Sequence, residues 1–554
     1  MDEKRESSKE IDSRSLENGG SKEAPITNSN PHYHFDVHDL DQVQRRLKQR
    51  HVQMIAIAGT IGTGLFLGSG GALANAGPLG ALLSYALVGT VAYSSLCAVG
   101  EMSTWAPISG TFPHFAARWV DPALGFATGW NYFYTNAIST PVEITAAVIL
   151  LTFWDKNAPT SHIAAYTLVL CILVCMINIF GVRYFGESEF IFATLKLTLI
   201  IGLLLVGLVI DLGGGPDHHR TGFQFWRNPG AIARSGLEPN HIGWDRFLAI
   251  LGTLVQAAFS YQGMELVVIA ASETESPRRN IAKAVRRVFY RILVFYILGI
   301  LMIGMLVAYN DESLLSLQGN NTAASSPFVI AITRSGIKVL PHIVNGVIFT
   351  SAFSAGNSFL FCSSRVLYGL ALRGQAPKVF AYCTKRGLPI NAVLFASAFS
   401  LLSFMSVSSG SNNVFNWFVN LSTTGGFTSW FVMNITYIFF RRGLIAQGYD
   451  PASNAYHNKM QPYIAYWGAG WTAFFIIING FAAFWHFSAA KFLTAYINIP
   501  IFVVLYFGYK IVKRTSIWKP LEMDFVTGIP SLEETETEEI PPKNIGEKIA
   551  AVLF

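Results

Sequence analysis

Charged residues are scarce in this chain. Only 13% of its 554 residues are Asp, Glu, Lys or Arg, about half of the roughly 25% that is usual in soluble proteins. Hydrophobic residues make up 51%, and the mean hydropathy is +0.39. This composition excludes an ordinary water-soluble protein. Apolar stretches of about 20 residues recur along the chain and are long enough to cross a bilayer, so we predict a polytopic membrane protein.

Features of secreted, nucleic-acid-binding and catalytic proteins are also missing. The five cysteines lie in apolar stretches or in a Lys-rich connector, which predicts neither a disulfide framework nor a metal site. The first 50 residues hold no short apolar core with a cleavage site, so we expect no cleaved signal peptide. The net charge of +6 without a soluble basic domain indicates no nucleic-acid partner. Without a catalytic triad or phosphate loop in a suitable setting, we predict that the protein is not an enzyme and needs no cofactor.

The chain divides into three predicted regions. Residues 1–50 form a polar N-terminal tail, 51–515 form the membrane domain, and 516–554 form a C-terminal tail. The polar composition of 1–37 and the acidic run within 520–545 favour disorder. All membrane spans should be helices, because no stretch alternates like a barrel strand. Twelve spans are predicted, at about 52–74, 79–103, 122–152, 162–181, 189–211, 246–271, 289–309, 340–370, 390–408, 414–439, 465–485 and 492–511.

The distribution of Lys and Arg predicts the orientation. Basic residues cluster before span 1, after span 6 and after span 8, and such clusters are typical of cytoplasmic loops. Both tails are then cytoplasmic, whereas 212–245 and 310–339 lie outside. The sequon at Asn320 falls in the second of these outer loops, where it is either glycosylated or unused.

Span 1 contains a glycine cluster near its middle. Gly59, Gly62 and Gly64 allow the chain to leave helical geometry, and a break inside the bilayer survives only beside a polar cavity or ligand. The half-helix that resumes near Leu65 would point free N–H groups and its positive dipole end at a carboxylate. In the alternative interpretation, the small residues only allow close helix packing.

A second interruption, FSYQGME at 259–265, lies near the middle of span 6. Two interrupted helices five spans apart indicate an inverted repeat of two five-helix halves. Carbonyl groups released near Thr60, Phe259 and Ser260 would bind an ammonium group, while the N–H groups of span 1 bind a carboxylate. The combined site suits a zwitterion.

Ionisable residues inside spans are costly and therefore informative. Lys196 on span 5 either snorkels to the cytoplasmic surface or takes up and releases a proton during a transport cycle. Glu143 on span 3 and Glu265 on span 6 are candidates for proton relay or for holding a substrate cation. Alternatively, each is a neutral, hydrogen-bonded structural group. Glu101 near the inner end of span 2 is a candidate gate or packing group.

Several motifs in a fixed order resemble the fungal amino acid permease family of the amino acid, polyamine and organocation transporters. The resemblance covers about residues 40–515. The motifs are GTGLFLGSG at 62–70, GEM at 100–102, PISGTF at 107–112, FSYQGME at 259–265, SETESPRRNI at 272–281, NSFLFCSSR at 357–365, GQAPK at 374–378 and RGLP at 386–389.

The resemblance implies a LeuT-like fold of five plus five inverted helices with two further helices. It also implies import of amino acids across the plasma membrane, driven by the proton gradient, and tails that serve ubiquitin ligase and arrestin machinery. Phe259 would close over the substrate, and Lys196 would stand where related transporters hold sodium. The residues matching the family's two binding loops are Thr60, Ile61, Gly62, Thr63 and Gly64 in span 1 and Phe259, Ser260, Tyr261, Gln262 and Gly263 in span 6.

Three other functions are compatible with parts of the pattern. A nutrient receptor would use the same site without net transport, and a channel would need a continuous polar lining. A choline or polyamine carrier would have no use for a carboxylate loop. The residues do not identify the transported amino acid, although spans 3, 6, 8 and 10 offer candidate specificity residues, namely Thr135, Gln262, Ser354 and Trp417.

Overall fold

The computed structural model describes residues 54, 61–108, 111–155, 157–180, 182–272, 276–319, 326–384 and 387–531. This part of the chain forms helices joined by loops and contains no strand. Ten helical segments in this part of the chain are long and apolar enough to cross a membrane, judged by length and composition. The prediction of an all-helical, multi-pass protein is confirmed. The tail at 1–50, Thr60 and the Asn320 sequon lie outside the described residues.

Eighteen α-helices occur in the described residues, numbered here in chain order. They are α1 Ser69–Trp105, α2 Thr111–Trp119, α3 Pro122–Leu151, α4 Thr160–Phe180, α5 Val182–Asp211, α6 Ile242–Tyr261, α7 Leu266–Ser272, α8 Pro277–Arg291, α9 Leu298–Leu306, α10 Glu312–Gly319, α11 Pro327–Arg334, α12 Leu340–Leu372, α13 Ile390–Ala398, α14 Met405–Ser409, α15 Ser411–Ala446, α16 Tyr463–Ile478, α17 Ala489–Tyr496 and α18 Asn498–Lys513. Short π-helical turns are Gly64–Gly68, Trp226–Gly230 and Ile292–Ile297, and short 3-10 turns are Lys378–Ala381, Phe399–Phe404, Pro451–Ser453, Phe481–Phe484 and Pro520–Glu522.

Two of the twelve predicted spans are not separate members of the ten. The segment Gly64–Trp105 is 42 residues long and contains the predicted spans 1 and 2. Helix α15 covers the predicted span 10, but its many Asn, Ser and Thr residues make it less apolar than the ten. The count of twelve therefore stays a prediction, and so does the inverted repeat.

A sharp kink divides the first segment at Gly77, whose φ of 74° is a conformation that favours glycine. The connector between α5 and α6 fills the gap in the helical hydrogen bonds. Leu79 donates its N–H to the carbonyl of Ala231 at 2.9 Å, and Ala233 donates to the carbonyl of Ala76 at 2.9 Å. Because both bonds replace those lost at the kink, the connector after α5 fixes the bend between the two halves of the segment.

Helix α3 is the central scaffold of the fold. It begins after Asp121, whose Oδ1 accepts the N–H of Ala123 at 2.9 Å, with Pro122 in the first turn. In its most apolar stretch 89% of the residues are buried, against 11% for the segment that contains α18. α3 packs against α12 and α15, while α1 packs against α6. The two interrupted segments therefore lie against each other, beside the scaffold formed by α3 and α12.

Candidate functional site

The predicted first break includes Ile61 and Gly62, which are not helical, while residues 55–60 before them lie outside the described part of the chain. The helix begins after them at Thr63, with the π-helical turn Gly64–Gly68. The carbonyl oxygen of Ile61 accepts a hydrogen bond of 3.0 Å from the hydroxyl of Ser351 on α12. A polar side chain of the scaffold thus satisfies a backbone group that the break releases, as burial requires.

Glu143 of α3 lies at the N-terminus of the helix that follows this break. Its Oε2 accepts hydrogen bonds from the Thr63 hydroxyl at 2.9 Å and from the Thr63 N–H at 3.5 Å. A Cβ atom on Gly62 would stand only 2.7 Å from Oε1 of Glu143, so glycine leaves room for the carboxyl group. Helix N-termini attract anions. The helix end predicted to bind a substrate carboxylate therefore holds an internal carboxyl group.

The second break begins later than predicted. Helix α6 continues through Phe259 and Ser260 to Tyr261, and the non-helical residues are 262–265. Ser260 stays helical, with its hydroxyl bonded back to the carbonyl of Gln256 at 3.2 Å. The chain turns at Gly263, which has a φ of 81°, because glycine adopts this conformation without a steric penalty. The predicted loop of 259–263 is therefore wrong for its first three residues, which form the end of a helix.

The two broken segments touch at Gly64 and Ser260. A Cβ atom on Gly64 would lie 2.6 Å from the Cα atom of Ser260. The hydroxyl of Ser260 is hydrogen-bonded to the hydroxyl of Tyr85 on α1 at 2.7 Å, and the Tyr261 hydroxyl donates to the Tyr85 carbonyl at 3.0 Å. The Gly64 contact joins the end of α6 to the helical turn that follows the first break, and the bonds of Tyr85 join it to the part of α1 beyond the Gly77 kink.

Gln262 and Glu265 connect the second break to α15. The amide nitrogen of Gln262 donates to the carbonyl of Ser422 at 2.6 Å, and its Oε1 is buried without a partner among the described residues. The indole N–H of Trp430 donates to Oε2 of Glu265 at 3.5 Å. Glu265 is 6% exposed. Glu265 therefore bonds to α15, whereas Glu143 adjoins the first break.

Lys196 of α5 is completely buried inside the helix bundle. Its ammonium nitrogen lies 3.7 Å from Oε1 of Glu189, which is on the same face of α5 and two turns earlier in the helix. Oε2 of Glu189 accepts hydrogen bonds from Ser354 at 2.7 Å and Ser358 at 3.2 Å, both on α12. The snorkelling interpretation is wrong, because the lysine points into the protein.

Sequence analysis missed Glu189. The available signal was its spacing of seven residues before Lys196, which places both side chains on one face of α5. Opposite charges at this spacing in an apolar helix indicate a buried pair, since an isolated charge at that depth is costly.

A cavity of about 480 Å³ opens on the side predicted to face outward. Two predicted residues, Phe259 and Trp417, line it, whereas Thr135, Gln262 and Ser354 do not. The Phe259 ring is 5% exposed and packs edge to face on Phe415 with 6.1 Å between centroids. No Asp or Glu is among the described lining residues, and the carboxamide and charged ones are Asn75, Gln256, Asn413, Asn416, Asn420, Asn479 and Lys491.

Comparison with known proteins identifies the family. A family model described as amino acid permease matches residues 51–521. The dicarboxylic amino acid permease of Saccharomyces cerevisiae is 40% identical over 501 residues, which cover 90% of this chain and 82% of that protein. A proline-specific permease of the same yeast is 41% identical, covering 93% and 84%, and its lysine-specific permease is 38% identical, covering 92% and 83%.

The chain belongs to the amino acid permease family. This permease is a multi-pass membrane transport protein and not an enzyme, as predicted. These relatives are named after acidic, neutral and basic amino acids, and their sequence identities to this chain are nearly equal. Family membership therefore does not select the substrate's charge, and that choice depends on residues of this chain.

The C-terminal chain covers the side of the permease that is predicted to face the cytoplasm. Residues 515–531, here called the C-terminal strap, pack across α1, α2 and α8. Arg118 forms an ion pair of 3.0 Å with Asp524 and donates to its carbonyl at 2.7 Å, and Arg278 donates to the carbonyl of Pro530 at 2.6 Å. The predicted disorder of 520–545 is wrong for 520–531, because Met523 and Phe525 are buried anchors.

Glu101 completes this inner surface. Its Oε2 accepts the Tyr437 hydroxyl at 2.6 Å, and its Oε1 accepts the N–H of Asn458 at 2.7 Å. The carboxyl group therefore joins the end of α1 to the connector after α15, a position compatible with both predicted roles, gate and packing group.

Proposed function

We propose that this permease imports amino acids together with protons across the plasma membrane by alternating access. The amino acid would bind between the two helix breaks, with its carboxylate at the N-terminus that begins at Thr63 and its ammonium group at the carbonyl groups of the breaks. The observation that carries the proposal is the position of Glu143, whose carboxyl group already occupies the predicted anion site.

This position couples a proton to the substrate. Two negative carboxylates repel each other at one helix end, so the substrate carboxylate binds there only when Glu143 carries a proton. The proton enters from outside with the amino acid. It leaves Glu143 on the inner side once the substrate has gone, and the free carboxylate then returns to Thr63. One proton accompanies each amino acid by this route.

Access to the site would alternate around Phe259. Phe259 is among the residues that line the cavity on the predicted outer side, and the strap and Glu101 lie on the side predicted to face the cytoplasm. Rotation of α1 and α6 against α3 and α12 would first move Phe259 over the substrate and then separate the inner contacts. This sequence gives transport by site exposure and argues against an open channel.

Location and regulation follow from the same proposal. The basic clusters favour cytoplasmic termini, and tail lysines there would be accessible to ubiquitin ligase and arrestin machinery. Proton-driven import requires a membrane with a proton gradient directed inward, which the plasma membrane of a fungal cell supplies.

Uptake of labelled amino acids in permease-deficient yeast tests the proposal, with all twenty unlabelled amino acids as competitors. We expect accumulation that a protonophore abolishes. Lys196→Met should no longer couple uptake to the pH gradient, because without the nearby ammonium group Glu143 keeps its proton. Full gradient-driven uptake by Lys196→Met contradicts the assigned role of this lysine. Binding without accumulation would indicate a receptor, current far above transporter turnover would indicate a channel, and indifference to the substrate's carboxylate would indicate a choline or polyamine carrier.

A further inference from the structure

A fixed ion pair lies beside the proposed proton site. Glu189 is 0% exposed. Its Oε2 accepts hydrogen bonds from two serines of α12, and its Oε1, which has no hydrogen-bond partner among the described residues, forms an ion pair of 3.7 Å with Lys196. Ser354 and Ser358 are one helical turn apart and belong to the scaffold helix that also contacts Ile61 through Ser351. The carboxylate is therefore held in place from two helices.

We propose that Glu189 is a positioning residue, the permanent counter-ion that holds Lys196 and leaves Glu143 free to gain and lose its proton. This inference rests on the proposed function, because it assigns a role in the cycle of Glu143.

The charges around Lys196 support this division of roles. Charged groups that act electrostatically on its ammonium include Glu189 on α5, Glu143 on α3 and Arg291 on α8. The hydrogen-bond donors to Glu189 are serine hydroxyl groups, which stay neutral during the cycle. Glu143 instead shares the helix end where a substrate carboxylate would arrive. One carboxylate thus compensates the lysine throughout, and the other can change its charge.

Removing the charge of Glu189 should shift the pH dependence of uptake in a predictable direction. In Glu189→Gln the ammonium of Lys196 loses its counter-ion and is attracted to Glu143. The charged form of Glu143 is then stabilised, because an opposite charge nearby favours ionisation. Protonation of Glu143, and therefore substrate binding, needs a higher proton concentration. Uptake shifts towards acid pH.

The experiment measures uptake against external pH, normalised to the amount of permease at the cell surface. We expect half-maximal uptake of Glu189→Gln about one pH unit lower than that of the unmodified protein, and restoration by Glu189→Asp. Ser354→Ala, which removes only one hydrogen bond, should shift the profile less and in the same direction. The control is Asp217→Asn, which removes an equal charge at an exposed position in the connector after α5 and should leave the profile unchanged.

A background without a titrating carboxylate separates this role from a general structural one. In Glu143→Gln, adding Glu189→Gln should produce no further pH shift. An unchanged profile for Glu189→Gln, or the same shift in the Glu143→Gln background, overturns the inference. If Glu189→Gln does not reach the surface, Ser354→Ala decides by the presence or absence of the acid shift. Loss of the inference leaves proton-coupled import intact, since that proposal is tested separately by the protonophore, by Lys196→Met and by accumulation in Glu143→Gln.

Discussion

The backbone of Ser260 fills the space that a side chain at Gly64 would need. A Cβ atom on Gly64 would lie 2.6 Å from the Cα atom of Ser260 and 3.0 Å from its backbone nitrogen. Contacts this short with backbone atoms cannot be relieved by rotating a side chain. The two interrupted helices therefore meet through a glycine, at the place where the proposed cycle requires them to move together.

The first prediction concerns this contact. Gly64→Ala should lower uptake about tenfold or more at equal surface amount, because α6 must withdraw from the helix after the first break. The control is Gly346→Ala on α12, where a Cβ atom would meet no atom within 4 Å. Uptake and surface fluorescence are measured in the same cells. Wild-type uptake by Gly64→Ala would show that the two breaks are not closely packed during transport.

The second prediction concerns the proton. Glu143→Gln keeps the size of the side chain and resembles the protonated carboxyl group, so the Thr63 end should accept a substrate carboxylate at every pH. We expect exchange of amino acid across vesicle membranes to persist and to lose its pH dependence, while accumulation against a gradient is abolished. Exchange and accumulation are measured separately in reconstituted vesicles. Gradient-driven accumulation by Glu143→Gln would exclude this residue as the proton carrier.

Sequence reasoning located both breaks, because glycines and polar residues inside apolar helices have a physical cost that needs a local explanation. It also selected Glu143 and Lys196, since buried charges are rare in membranes. It misplaced the start of the second break, which depends on side-chain bonds at Ser260 and Tyr261 that extend α6. Periodicity does not report such contacts.

The hydrogen-bond and ion-pair partners that lie far apart in the chain could not be predicted from the sequence either. The hydrogen bonds between the Gly77 kink and the connector between α5 and α6, and those between Arg118 and the strap, join residues far apart in the chain. The acidic composition after 532 favoured disorder for the whole tail, while two apolar anchors hold its first part. For Glu189 the sequence offered only its spacing of seven residues before Lys196, and its serine donors come from another helix.

The third prediction concerns the strap. Asp524→Ala leaves the buried guanidinium of Arg118 without its carboxylate and removes the acceptor of the N–H groups of Val526 and Thr527, although Arg118 can still donate to the carbonyl groups of residues 524 and 527. We expect a loss of about 2 kcal/mol in stability, seen as a lower midpoint when detergent-solubilised permease is heated and its monodisperse fraction is measured. Glu522→Ala, in the same strap, removes a pair with Lys519 whose lysine side chain is 80% exposed and should change little. Equal midpoints for the two variants would contradict an anchoring role for Asp524.

The fourth prediction concerns selection of the substrate's charge at the outer cavity. Lys491 is the only charged side chain among the described lining residues, and it is exposed at the start of α17. A cation at this mouth repels lysine and arginine and attracts glutamate and aspartate, by about two- to threefold in apparent affinity at an exposed site. Lys491→Glu should reverse that preference in competition uptake, and Lys491→Gln should lie between.

The effect should shrink as ionic strength rises, because salt screens exposed charges. Lys513→Glu makes the same charge change at the opposite end of the following helix and should leave competition unaltered. If Lys491→Glu and Lys513→Glu gave the same ranking of acidic and basic competitors, the cavity would not discriminate by charge, and selection would lie deeper, at the helix breaks.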